Sequence, residues 1–191
     1  EGIKSILGQS PQIMDLTSWI RKVSNHDANI LIEGESGTGK DLVVKAIHYN
    51  SDRAAGPLKK VNCASIPRTM MESELFGHEK GAFSGADSRH IGRIESANKG
   101  TLFLDNVSEL DWDVQGKLLR VIQDGEIERL GSSQTIHLDV RVLATTNKNL
   151  KQEMIEGRFR EDLYYLLTVL NRSLPQLRSH KEDIPIYVAT F

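Results

Sequence analysis

The stretch NILIEGESGTGKDLVV, Asn29 to Val44, joins a short apolar run, a loop with three glycines and the start of a helical pattern. Asn29 to Glu33, apolar through Ile30-Leu31-Ile32 and too short for a helix, reads as a buried strand. Beyond the loop, Leu42, Val43, Ala46 and Ile47 recur at helical spacing. In this strand-to-helix context, Gly34-Glu35-Ser36-Gly37-Thr38-Gly39-Lys40 fits the G-x-x-x-x-G-K pattern of a phosphate-binding loop. Glycines let the backbone curl until amide hydrogens point at phosphate oxygens, and the following helix N-terminus adds positive potential. Lys40 supplies a point charge for the β and γ phosphates. The next residue is Asp41, where a hydroxyl would bind Mg²⁺ directly. Asp41 therefore either meets the metal through water or is an acidic first-turn residue favoured by the helix dipole.

Outward from this stretch, short apolar runs alternate with helical patterns. Leu58 to Asn62, Thr101 to Asp105, Val140 to Thr145 and Asn171 to Leu174 read as further strands. Gln115 to Gln123 and Glu161 to Leu167 read as helices, and residues 126 to 138, around Gly131-Ser132-Ser133, as a hairpin or loop. The class is α/β with a mainly parallel sheet, whose ligand groups belong at the carboxyl ends of the strands. The loop at 34 to 40, Asp105 and Asn147 satisfy that rule. Residues 77 to 92 hold four glycines and little periodicity, a length of irregular chain that is functional or disordered.

The chain has 191 residues, the size of one domain, and a formal net charge of −2, so no global basic field recruits nucleic acid. The single cysteine, Cys63, excludes an internal disulfide, and no apolar run is long enough to cross a membrane. These features predict a cytoplasmic protein. The ends at Glu1 and Phe191 read as those of a piece cut from a longer chain.

Gly34 to Asp41, followed by ELFGHEKGAFSGA at 74 to 86, resembles the central AAA+ domain of bacterial sigma-54-dependent transcriptional activators. The resemblance runs from Ile6-Leu7-Gly8-Gln9-Ser10-Pro11 to Phe159-Arg160-Glu161-Asp162-Leu163-Tyr164-Tyr165. It implies an AAA+ P-loop NTPase core over 1–180, with a five-stranded sheet between helices. A helical lid begins near Lys181 and is largely absent from 181–191. It also implies ATP and Mg²⁺ bound by Ile6, Leu7, Gly8, residues 34 to 41 and Leu42, with Asp105 holding the metal through water. In such a family the loop Gly81-Ala82-Phe83-Ser84-Gly85-Ala86 engages sigma-54 RNA polymerase on a hexameric or heptameric ring. DNA is met only through a helix-turn-helix domain outside this chain. Asn147 matches the polar sensor, and Arg160 an arginine finger reaching the neighbouring subunit's γ-phosphate. From the residues alone, Asp105 also suits a cap, Asn147 a turn, Phe83 a place folded back on the domain, and Arg160 a surface ion pair.

Two positions depart from the family. The residue after Asp105 is Asn106, where the family places the glutamate that polarises the attacking water; an amide carries no charge and cannot act as a base. The second finger position is Leu166. Glu109 could substitute only if the chain curled back after the strand, which is not expected, and Asn62, the family's glutamate switch, is expected to be structural. The sequence therefore predicts an ATPase with weakened hydrolysis. The alternative is a non-hydrolysing, nucleotide- or ligand-gated oligomerisation module, and a P-loop kinase is disfavoured because nothing supplies an acceptor site.

Overall fold

The computed structural model describes residues 2–190. After a 3₁₀ turn at Ile3–Ser5 come α1 (Pro11–Ser24), β1 (Ile30–Glu33), α2 (Lys40–Tyr49), β2 (Leu58–Asn62), α3 (Arg68–Phe76), β3 (Gly77–His78) and β4 (His90–Ile91). Then follow α4 (Arg93–Ser96), β5 (Gly100–Asp105), a 3₁₀ turn at Val107–Glu109, α5 (Trp112–Asp124), β6 (Glu126–Glu128), β7 (Thr135–His137) and β8 (Val140–Thr146). The chain closes with α6 (Leu150–Ile155), α7 (Glu161–Leu167), β9 (Leu170–Ser173), two 3₁₀ turns and α8 (Ile184–Thr190).

Five strands form one parallel sheet in the order β2-β5-β8-β1-β9. Because successive side chains point to opposite faces, each central strand feeds two cores. Leu31, Leu102, Leu104, Val142 and Ala144 meet the layer built by α3, α4, α5 and α7, whereas Ile30, Ile32, Phe103 and Leu143 meet α1 and α2. All six residues of β5 are buried, as a strand covered by helices on both sides requires. Ser10 caps α1 by accepting from the Ile13 amide at 3.4 Å, with Pro11 at the first helical position. Asp111 caps α5 at 3.0 Å, and Gly125 ends that helix in the left-handed conformation.

The five sequence-read strands are all present, Leu58–Asn62 unchanged and the others with ends shifted by one residue. Asn29 falls outside β1 because its side chain leaves the ladder, donating to the Leu166 carbonyl and accepting from the Val142 amide. Residues 126 to 138 form the antiparallel hairpin β6–β7. The long segment after α3 is less irregular than its composition suggests. Its base is the antiparallel pair β3–β4, with His78 opposite His90. From Lys181, where the sequence reading expects a lid to begin, the chain forms a 3₁₀ turn followed by α8, and Tyr187 of α8 donates to the Leu7 carbonyl at 3.1 Å. Among the described residues, no helix is long and apolar enough to cross a membrane.

Candidate nucleotide site

The phosphate-binding loop starts where β1 ends, and the Gly34 amide still bonds to the Thr146 carbonyl of β8 at 3.1 Å. Gly37 and Gly39 have φ of 82° and 86°, the left-handed region that a side chain disfavours. With them the loop turns back before α2 begins at Lys40. Lys40 Nζ spans the loop, donating to the carbonyls of Gly34 at 2.7 Å and Glu35 at 2.8 Å. Burial lowers the Lys40 pKa, and the carboxylates of Asp105 and Asp41 oppose that shift. The two acids thus lie close enough to feel the lysine.

One face of the loop lines a cleft of about 580 Å³, within the range that takes small-molecule ligands. Ile6, Leu7, Glu35, Ser36, Gly37, Thr38, Gly39 and Leu42 border it, so most of the expected nucleotide residues converge there. Gly8 does not line the cleft. Its φ is 129°, and a Cβ would stand 2.8 Å from Asp183 Oδ2. Asp183 is buried and accepts from the amides of Gln9 at 2.7 Å and Ser10 at 3.0 Å, with His180 Nδ1 3.3 Å from its other oxygen. Burial alone would raise the Asp183 pKa, but the bonds from Ser10 and Gln9 and the nearby His180 more than reverse it. Arg178 closes the opposite edge, holding Glu35 in a two-point pair at 2.8 and 3.0 Å while Gln176 donates to the same carboxylate. That pair, with Gln176, lowers the Glu35 pKa.

Lys40, Asp41 and Asp105 do not line this cleft. The two acids meet around a residue the sequence did not single out, Lys60, in the edge strand β2. Its ammonium lies 2.5 Å from Asp41 Oδ2 and 3.1 Å from Asp105 Oδ2. Burial tends to lower the Lys60 pKa, but the two carboxylates outweigh it and the net shift is upward. Asp105 is nearly buried, and its Oδ1 accepts from Thr145 Oγ1 at 2.7 Å. Arg178 and Tyr187 were likewise illegible in the sequence. The one available signal for Lys60 was a charge pair, Lys59-Lys60, inside an otherwise strand-like run.

The water-activating side is different. Asn106 has φ 58° and ψ 54°, a left-handed conformation that asparagine accepts more readily than most residues. The chain does curl after β5, against expectation, in the turn Val107–Glu109. Even so, the Glu109 carboxylate is paired with Lys148 Nζ at 2.7 Å. Asn62 Oδ1 accepts from the Ala64 amide at 3.0 Å, a local turn contact that fits the structural role expected of it. Asn147 is exposed at the carboxyl end of β8. Arg160 sits at the start of α7, paired with Asp162 at 3.0 and 3.1 Å and stacked 5.2 Å from the Trp112 ring centre. Leu166 is half-buried in the same helix.

The segment 81 to 86 stands apart from the cleft on an anchored base. Arg129, buried at 7% side-chain exposure, joins Glu79 and Glu95, each at 2.7 Å. The Glu79 amide bonds to the Leu130 carbonyl at 3.0 Å, and Gly131 approaches Ala82 so closely that a Cβ would meet the Ala82 Cβ at 2.7 Å. Gly81 donates to the Ala86 carbonyl at 2.8 Å and closes the tip, and Ala86 is buried. Phe83 remains 46% exposed, with its ring edge-to-face against His78 at 4.9 Å.

These residues fit a nucleotide with its metal. The left-handed glycines and Lys40 form a cradle for phosphates, and the cleft has room beside it. No group of three or more His, Cys, Asp or Glu among the described residues could cage a metal. Mg²⁺ characteristically needs only one or two carboxylates plus phosphates, and Asp41 and Asp105 already gather about a cation. Fold and site define the class as an AAA+ P-loop NTPase domain. The fold recurs in the P-loop NTPase domain of an E. coli sigma-54 transport activator, at TM-score 0.59 and 16% identity over 90% of this chain and 99% of that one.

A profile of the Sigma-54 interaction domain matches residues 6–172, and the chain belongs to that family. It is 51% identical over 186 residues to the regulatory protein AtoC of Escherichia coli K12, covering 97% of this chain and 40% of that protein. It is 50% identical to a Nif-specific regulatory protein of Klebsiella pneumoniae, over 96% of this chain and 35% of that one. Among solved structures, NtrX of Brucella abortus in complex with ADP superimposes at TM-score 0.91 with 38% identity, over 98% of this chain and 41% of that one. The same protein in complex with ATP gives TM-score 0.88 and 39% identity, over 94% and 39% of the two chains. The chain therefore spans well under half the length of these relatives.

Proposed function

We propose that this chain is the ATP-binding motor domain of a sigma-54-dependent transcriptional regulator, with hydrolysis weakened at Asn106 and Leu166. The observation that carries this reading is the glycine loop closed by Lys40 between β1 and α2, beside the cleft bordered by Ile6 and Leu7. ATP·Mg²⁺ is bound there, Asp105 meeting the metal through water and Asp41 joining it by the same route. Asn147 senses the γ-phosphate. Phe83, exposed at the tip of Gly81 to Ala86 on its braced base, is offered to sigma-54 as subunits act in a cytoplasmic ring. Arg160 reaches across to the neighbour's nucleotide after leaving Asp162, an exposed ion pair of the weak kind. DNA is met by a further domain of the whole protein.

Steady-state ATP turnover over a range of protein concentrations tests this. Specific turnover that rises with concentration is expected of a working ring. A second reading, a nucleotide-gated assembly module without hydrolysis, is favoured by one observation: the residue after Asp105 is the uncharged Asn106, and the next acid in the chain, Glu109, is paired with Lys148. Nucleotide-dependent assembly with no turnover at any concentration would establish that reading and remove the first.

A further inference from the structure

Lys60 lies midway along β2, opposite Phe103 in the register, and its Nζ stands 5.1 Å from the centre of the Phe103 ring, within cation–π reach. The chain thereby delivers an ammonium to the two carboxylates on which the reading above places the metal. Asp105 is fixed from its other oxygen by Thr145, so its free oxygen faces Lys60. Asp41 stands where a phosphate-binding loop usually presents a hydroxyl, and the lysine gives that extra negative charge its partner. Two carboxylates sharing one ammonium attract a second cation less than two bare ones do.

We propose that Lys60 is a built-in cation of the nucleotide site, a positioning residue that holds Asp41 and Asp105 together and weakens the dependence of nucleotide binding on Mg²⁺. This rests on the ATP reading of the cleft. Lysine suits the task because its compact charge rides on a flexible stem and can give way to a metal without moving the strand. An uncharged side chain at position 60 leaves the two neighbouring acids with Lys40, which is held on the Gly34 and Glu35 carbonyls, as their nearby cation, and strengthens their attraction for a divalent ion.

The test compares the parent with Lys60→Met, which keeps the stem, and Lys60→Arg, which keeps the charge. Binding of a fluorescent ATP analogue is measured in EDTA and in Mg²⁺, and thermal unfolding is followed without nucleotide in the same two buffers. The ratio of the two dissociation constants is expected to be at least about tenfold larger in Lys60→Met than in the parent, with Lys60→Arg resembling the parent. Mg²⁺ alone is expected to raise the unfolding temperature of Lys60→Met and to leave the parent unchanged. Equal ratios and equal Mg²⁺ responses in folded parent and Lys60→Met overturn the proposal. Absence of analogue binding in all three proteins overturns the ATP reading instead, and the response to Mg²⁺ alone then still decides whether Lys60 screens the acids.

Discussion

The two sides of the nucleotide site differ in how completely they are built. On the holding side, Gly34 to Lys40 is closed by its own lysine, Asp105 is pinned by Thr145, and Gln9 and Ser10 are fastened by the buried Asp183. On the side proposed for turnover, Asn106 carries no charge, Glu109 is paired with Lys148, and Arg160 is paired with Asp162. Gripping a phosphate needs amides and a positive charge, which the fold supplies by the mere placement of a loop. Cleaving it needs a polarised water and a charge from a neighbour, which depend on single side chains. A chain can lose the second and keep the first.

The strongest way to break the contrast is to restore the missing carboxylate. Asn106→Glu is expected to raise ATP turnover by about 10²–10⁴-fold. The same change places glutamate at φ 58° and is expected to cost ~1 kcal/mol of stability, read by denaturant unfolding. Unchanged turnover would locate the deficit elsewhere, with Leu166 the first suspect. Next in size, Lys40→Ala removes the charge-assisted contact to phosphate, and titration calorimetry is expected to show about 10- to 100-fold weaker ATP binding.

Asp183→Ala leaves the Gln9 and Ser10 amides without their acceptor and is expected to destabilise the fold by about 2 kcal/mol. The parent carries the corresponding pH signature. Asp183 titrates below the usual carboxylate value, so its contribution is present above about pH 4 and is lost as the pH falls through its folded pKa. Acid unfolding of Asp183→Ala is expected to lack that component. The smallest effect belongs to Asp162→Asn, which frees Arg160 from an exposed, solvent-screened pair. Concentration-dependent turnover is expected to rise no more than about fivefold. If Arg160 is only a surface charge, turnover stays level.

Legibility in the sequence followed the same division. The loop was plain because glycines and a lysine at fixed spacing have few other uses, and the sheet was plain because buried strands read as apolar runs. Asp105 was legible as the acid that ends an apolar strand, whereas Asn106 and Leu166 stood out only against the pattern of the family the chain resembles. Lys60, Arg178 and Tyr187 were missed because each is brought to the site by tertiary placement, from an edge strand or from the chain beyond β9, and beyond the Lys59-Lys60 charge pair no local feature marks them. The order at the base of residues 77 to 92 was hidden for a related reason. Its partners, Arg129 and Leu130, lie some fifty residues away, and short-range periodicity is blind to them.

That remote pairing has a consequence for how the sequence can drift. Arg129 is buried between Glu79 and Glu95, and losing either acid leaves the guanidinium underpaired, while losing the arginine leaves two carboxylates facing one another. Three positions spread over half a hundred residues are therefore coupled, and a single substitution at any of them is expected to cost stability that a second can restore. The clasp beneath Phe83 behaves, in inheritance, as one letter written in three places.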